Sequence, residues 1–188
     1  MAVTDYTDII SRMKKQGIAF LENVSFEQLD RAQDRYGIEF PGELRRFYSQ
    51  GMPVSQGFVN WLDETPRYVE TVEKRLKAPV RGVLIAVELE ELWPRTWGER
   101  PLQEEQVLKQ AGDRLKKAAR LIPLYSHRYI ACLPETDDMP VLSVYGGDII
   151  YYGADLENWL EIEFCGLPRG TIFERNLPEI PGWQDLIG

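Results

Sequence analysis

Apolar positions along this chain recur at helical spacing in its first half and in alternating runs in its second. Tyr6, Ile9, Ile10 and Met13 predict a helix from about Asp5 to Gln16, with Thr4 as its cap and Gly17 as its stop. Ser25-Phe-Glu-Gln has the form of a capping box in which Gln28 reaches back to the Ser25 amide. It opens a helix with the stripe Phe26, Leu29, Ala32 and Tyr36, closed by Gly37 with Ile38 folding back. Pro41 at a first helical position starts another, with Leu44, Phe47 and Tyr48 inward, Arg45 and Arg46 outward, and Gly51 as its end. The two short helices read as a lid packed on a sheet.

From Gly57 the run GFVNWLDETP reads as a strand or extended segment carrying Trp61. Pro66 to Lys77 predicts a helix with Val69, Val72 and Leu76 inward. Ala78-Pro79 ends it, because a proline pushes its predecessor out of the α region. Val80 to Leu89, VRGVLIAVEL, then reads as a buried strand interrupted by Gly82. Trp93 to Gly98 is an aromatic loop. Pro101 to Arg120 is a helix striped by Leu102, Val107, Leu108, Ala111, Leu115, Ala118 and Ala119.

Leu121 to Phe164 is a sheet-building core. LIPLYSHRYIACL reads as two short strands broken around Tyr125-Ser126, and PVLSVY and DIIYY as two more joined by Gly146-Gly147. A Gly-Gly connection suits a type I′ hairpin, which needs positive φ at both central residues. Pairing Tyr145 with Asp148 puts Leu142, Val144, Ile149 and Tyr151 on one face and Val141, Ser143, Ile150 and Tyr152 on the other. Neither face is cleanly polar, which predicts a hairpin interior to the sheet and covered on both sides. Asp155 caps a helix that follows a Gly-Ala turn. Residues 163–188 read as a surface wrap anchored by Phe173, Leu177, Ile180 and Trp183, with a short helix over 181–186.

At 188 residues the chain is long enough for one domain, spanning 1–188, with its own core. Its 44% apolar and 28% charged residues are those of a globular protein. A net charge of −8 argues against binding a nucleic-acid backbone and fits an acidic surface that meets solvent or a basic partner. Cys132 and Cys165 are too few and too far apart for a disulfide framework or a CxxC device. Cys132 reads as a small core residue, and this usage suits a reducing cytoplasm. MAVTDYTDII has no basic segment leading into an apolar run, so no signal peptide is expected, and no run is apolar for about 18 residues, so no membrane span is expected.

Candidate chemistry is sparse. His127 is the only histidine. Its neighbour Ser126, and Cys132 five positions on, should point away from it along a strand, so His127 reads as a hydrogen-bonded sheet-edge residue. One histidine and two distant cysteines make no zinc site, and Asp137-Asp138 lacks the spacing of a calcium loop. There is no glycine-rich phosphate loop, and Glu157, Glu161 and Glu163 read as a charged helix face. No catalytic residue, cofactor or metal is expected. Trp93-Pro-Arg-Thr-Trp97 does combine loop aromatics with arginine, the composition of protein-binding hot spots.

The capped helix followed by GIEFPGELRRFYSQG resembles the opening of the SMI1/KNR4 (SUKH) superfamily. FVNWLD, GVLIAVELEELW, WGERP, LIPLYSHRYIACLP and PVLSVYGGDIIYYGADLENWLEIEF follow in an order similar to its bacterial branch, over about residues 25–164. The resemblance implies an α+β fold, with a mixed or mostly antiparallel sheet packed by several helices. It also implies a non-enzymatic immunity protein, cytoplasmic and a monomer or weak homodimer, that binds and neutralises a toxin, often a nuclease. A regulatory scaffold binding a housekeeping protein or peptide is the alternative, and a hydrolase using His127 is the third reading. The partner-binding residues expected are Asp63, Trp93, Trp97, Asp148 and Asp155.

Overall fold

The computed structural model describes residues 4–133, 136–175 and 177–188. The fold is α+β, with helices α1 (Thr7–Lys15), α2 (Phe26–Tyr36), α3 (Gly42–Gln50), α4 (Pro66–Glu88), α5 (Glu104–Leu115) and α6 (Leu156–Cys165). Strands β1 (Phe20–Leu21) and β2 (Met52–Pro53) form a small antiparallel pair. Strands β3 (Leu121–Tyr125), β4 (Arg128–Ala131), β5 (Val141–Tyr145) and β6 (Asp148–Gly153) form an antiparallel meander in chain order.

Side-chain caps set the starts of α2 and α6. Ser25 and Gln28 form the reciprocal box, at 3.2 Å from the Gln28 amide to Ser25 Oγ and 2.9 Å from the Ser25 amide to Gln28 Oε1. Gly37 ends α2 at φ +57° and Ile38 closes back on Gln33 O. Phe26, expected on the apolar stripe, is instead half exposed under the Arg45 guanidinium. Thr4 does not cap α1, because the Asp5 carboxylate takes both the amide and the hydroxyl of Thr7. Pro41 stands one residue before α3, not inside it.

The segment after Gly57 is an irregular loop with one bridge, Phe58 to Tyr125, and not a strand. Trp61 on it is fully buried, donates Nε1–H to the Tyr48 hydroxyl at 3.1 Å and meets Phe40 and Tyr36 edge-on. It pins the α2–α3 corner, whose other side is tied to the sheet. Arg120 donates to Gly37 O at 2.6 Å, and Cys132 Sγ donates to Glu39 O at 2.7 Å. Cys132 is thus a half-buried linker and not a core filler.

The largest departure from the sequence reading is α4. It runs for 23 residues through Pro79 to Glu88, so the expected stop at Ala78 and the expected strand over 80–89 are both wrong. Pro79 cannot donate to Arg75 O, but the Tyr129 hydroxyl on β4 donates there instead, at 3.3 Å. With that carbonyl served, Val72, Leu76, Pro79, Val83, Ala86 and Val87 bury one continuous face. Burial against the sheet outweighs the weak local preference of a β-branched run.

The β5–β6 hairpin has the expected register, Tyr145 opposite Asp148 through Leu142 opposite Tyr151, before a bulge at Val141. Its turn differs from a type I′ turn, since only Gly146 takes a left-handed φ, +62°. Gly147 is there for space: a Cβ would stand 2.7 Å from Ala86 Cβ, while one on Gly82 would stand 2.9 Å from Gly146 Cα. Glycine therefore lets α4 sit directly on the hairpin turn. β6 is an edge strand and not interior, and the C-terminal segment covers its edge, with the Gly188 amide donating to Ile149 O at 2.9 Å.

Two further expectations fail through exposure. Leu102 lies outside α5 in full solvent, and Phe173 projects from a 3₁₀ turn over Arg169–Glu174. Ile180 and Trp183 do anchor the C-terminal wrap, which ends in a short 3₁₀ turn over Gln184–Leu186.

Candidate functional site

The C-terminal end of α4 combines exposed acidic and exposed apolar side chains. Glu88, Glu90 and Glu91 are all exposed there, and no basic residue occupies the last turn. A helix C-terminus is the negative end of the peptide dipole, so carboxylates are disfavoured at it. Glu90 also takes a left-handed φ of +62°, which lets the Glu91 and Leu92 amides both donate to Ala86 O. Ile85 and Leu89, one turn apart, are 43% and 61% exposed beside these charges. An exposed apolar pair thus stands beside three exposed carboxylates on one helix end.

The loop that follows is rigid. Trp97 is buried and meets Trp93 edge-on at 5.3 Å between ring centroids. Trp97 O accepts from Gln110 at 3.2 Å and from Arg114 at 3.1 Å, while Trp93 Nε1 donates to Gly98 O at 2.9 Å. Arg100 lies near the Trp93 ring and donates to Val87 O at 3.0 Å, placing a cation at the end of α4. Asp148 is exposed beside Gly147, where an added Cβ would meet Ala86 and Leu92.

Of the five residues expected to bind a partner, Trp93, Trp97 and Asp148 therefore gather at this end of α4, with Trp97 as a buried support. The other two lie elsewhere. Asp63 turns back on the amide and hydroxyl of Thr65 at 2.9 and 2.8 Å, and these hydrogen bonds hold its carboxyl below the usual range. It organises the start of α4. Asp155 is buried, accepts the Asn158 amide at 2.7 Å and pairs with Arg175, so its carboxylate is used inside the fold. Ile85, Leu89 and the three glutamates went unrecognised because their segment reads as a strand. Their i, i+4 spacing was the signal that could have found them.

Asp155 belongs to a polar cavity of about 320 Å³ that also takes in Tyr6, Glu43, Arg46, Glu157 and Arg175. Glu43 is only 3% exposed and accepts amides from Met139 at 3.1 Å and Leu156 at 3.4 Å. Its carboxyl thereby ties α3 to the segment before β5 and to the start of α6. Burial pushes its pKa up to about 8, against the lowering effect of the Met139 amide.

The β3–β4 turn overturns one further expectation. Ser126 takes φ +49°, which breaks the strand alternation and brings its Oγ to 3.1 Å from His127 Nδ1. Burial, and then the Arg128 charge, hold the His127 pKa down. The nearby Glu163 carboxylate is taken by Arg128 Nε at 3.1 Å, and Arg128 also donates to Ser143 Oγ and stacks on Tyr152. Arg128 thus occupies the carboxylate that a serine–histidine pair would need to orient it.

Among the described residues, no group of three or more His, Cys, Asp and Glu side chains could hold a metal ion, and no helix is long and apolar enough to cross a membrane. Comparison with protein-family models, with curated proteins and with solved structures finds no match.

Proposed function

We propose that this chain is a non-enzymatic protein-binding domain, an immunity protein that neutralises a toxin in the cytoplasm by covering a basic surface on it. The observation that carries the reading is the placement of Glu88, Glu90 and Glu91 around exposed Ile85 and Leu89 at the end of α4. Carboxylates there work against the helix dipole; Arg100 answers only the Val87 carbonyl, and the three glutamates pair with no described residue, so a cationic partner is what would offset them. The net charge of −8 supports attraction over longer range, and a nuclease surface that holds a phosphate backbone is cationic in the required way. The resemblance of the segment order to the bacterial branch of the SMI1/KNR4 superfamily supports the same reading.

The mechanism is occlusion. Leu89 and Ile85 supply the dry centre, and the carboxylates supply the charged rim that steers and orients the partner. Co-expression with candidate toxin domains from neighbouring reading frames tests it. The wild-type chain restores growth, whereas a folded Glu88→Lys/Glu90→Lys/Glu91→Lys variant does not. Protection by the triple variant would remove this surface from the mechanism. Failure of the wild-type chain to protect, with a housekeeping protein as its stable partner, would make it a scaffold.

A further inference from the structure

We propose that the groove between α4 and α5 is a binding site for a small amphipathic anion, a chain carboxylate whose tail lies against the helices and whose head meets the basic rim. The groove has a volume of about 580 Å³, within the roughly 300–1,000 Å³ of small-molecule sites. Its floor includes Val80, Leu84, Leu115, Ala119 and Trp183. The lining comes from α4, α5, the connection into β3 and the C-terminal segment. That arrangement walls a cleft on several sides, unlike an open trough for a partner helix.

One observation selects the ligand class and a second marks the space for it. The first is charge. In a chain with a net charge of −8, this groove is lined by Lys77, Arg81, Lys116 and Arg120 and by no carboxylate. Lys77 and Lys116 pair with Glu73 at 3.3 Å and Asp113 at 3.0 Å, but both pairs lie in solvent, where such pairs contribute little and exchange readily. Arg120 is committed elsewhere, donating to Gly37 O and lining a separate cleft with Asp30, Asp34 and Glu39, so Arg81, which forms no ion pair with any described residue, is the cation left for the head. The second is Gly112, inside α5. Glycine costs a helix about 1 kcal/mol there, yet a Cβ at this position would meet nothing within 4 Å. No neighbour in the fold requires that glycine, and its effect is to keep the groove open.

This site is separate from the surface at the end of α4, since neither Ile85 nor Leu89 lines it. The test is calorimetric titration of the full chain with decanoate below its micelle concentration, beside decanol and decyltrimethylammonium. Decanoate binds, and the neutral and cationic chains bind at least about tenfold more weakly. Gly112→Leu fills the groove while improving helix propensity, so it folds and weakens decanoate by at least about tenfold. Arg81→Glu also weakens it. Equal binding of all three chains, or decanoate binding unchanged by Gly112→Leu, overturns the proposal. So does no decanoate binding, including where a synthetic acidic amphipathic helix binds instead.

Discussion

The Tyr129 hydroxyl donates to the Arg75 carbonyl, 54 residues earlier, in place of the amide that Pro79 lacks. One side chain from the sheet thus completes the ladder of the longest helix. Removing the hydroxyl in Tyr129→Phe leaves a shielded carbonyl without a donor and costs about 1–2 kcal/mol in urea unfolding. In a Pro79→Ala background residue 79 supplies its own amide, so the same substitution costs distinctly less. Equal costs in both backgrounds would show that the hydroxyl does not substitute for the missing amide.

Contact between α4 and the hairpin turn depends on the absence of side chains. Gly147→Ala places a methyl 2.7 Å from Ala86 Cβ, between a tight hairpin turn and the packed face of α4. Overpacking of this kind costs about 1–3 kcal/mol, measured by thermal or urea unfolding. Gly112→Ala, where nothing stands within 4 Å, is neutral or stabilising. A Gly147→Ala protein as stable as wild type would mean that α4 shifts freely on the turn.

Glu43 makes stability depend on pH. Its folded pKa of about 8 lies above the ordinary 4.5, so the folded state keeps a proton that the unfolded chain releases between those values. Stability from this group is complete at low pH and is lost as pH climbs towards about 8. Glu157 titrates in the same sense, its carboxyl also raised, first by burial and then by Asp155. Glu43→Gln is neutral throughout, so its stability relative to wild type rises with pH, by at most ~1.4 kcal/mol per unit. Parallel curves for the two proteins between about pH 5 and pH 8 would contradict the assignment of Glu43 as the titrating group.

What the sequence made legible is what local hydrogen bonding decides. The Ser25–Gln28 box, the Gly37 stop, the Asp155 cap and the Tyr145–Asp148 register each need only residues within a few positions. The segment 66–88 was not legible, because Pro79 and the run VLIAV both signal against a helix. The group that overrides them, Tyr129, arrives from another strand. That misreading hides the helical spacing of Ile85 and Leu89, so the sequence singles out the aromatic loop and Asp148 without the apolar pair beside them. Ser126 shows the same limit on a smaller scale: one left-handed φ reverses the inference that it points away from His127.

The apolar pair is separable from the charges. Leu89 and Ile85 lie largely in solvent, so Leu89→Ala and Ile85→Ala leave unfolding nearly unchanged, within about 0.5 kcal/mol. Each slows growth protection by weakening the complex, and a shortened complex lifetime in surface plasmon resonance reports it. Large losses of stability would instead assign both residues to the core.

The most direct measurement is a tagged pull-down from the native host, comparing the wild-type chain with the Glu88→Lys/Glu90→Lys/Glu91→Lys variant at low and moderate salt. The account predicts one basic protein recovered in near-stoichiometric amount by the wild type, lost with the variant and weakened as salt rises. A partner retained equally by both chains, at either salt, would contradict it.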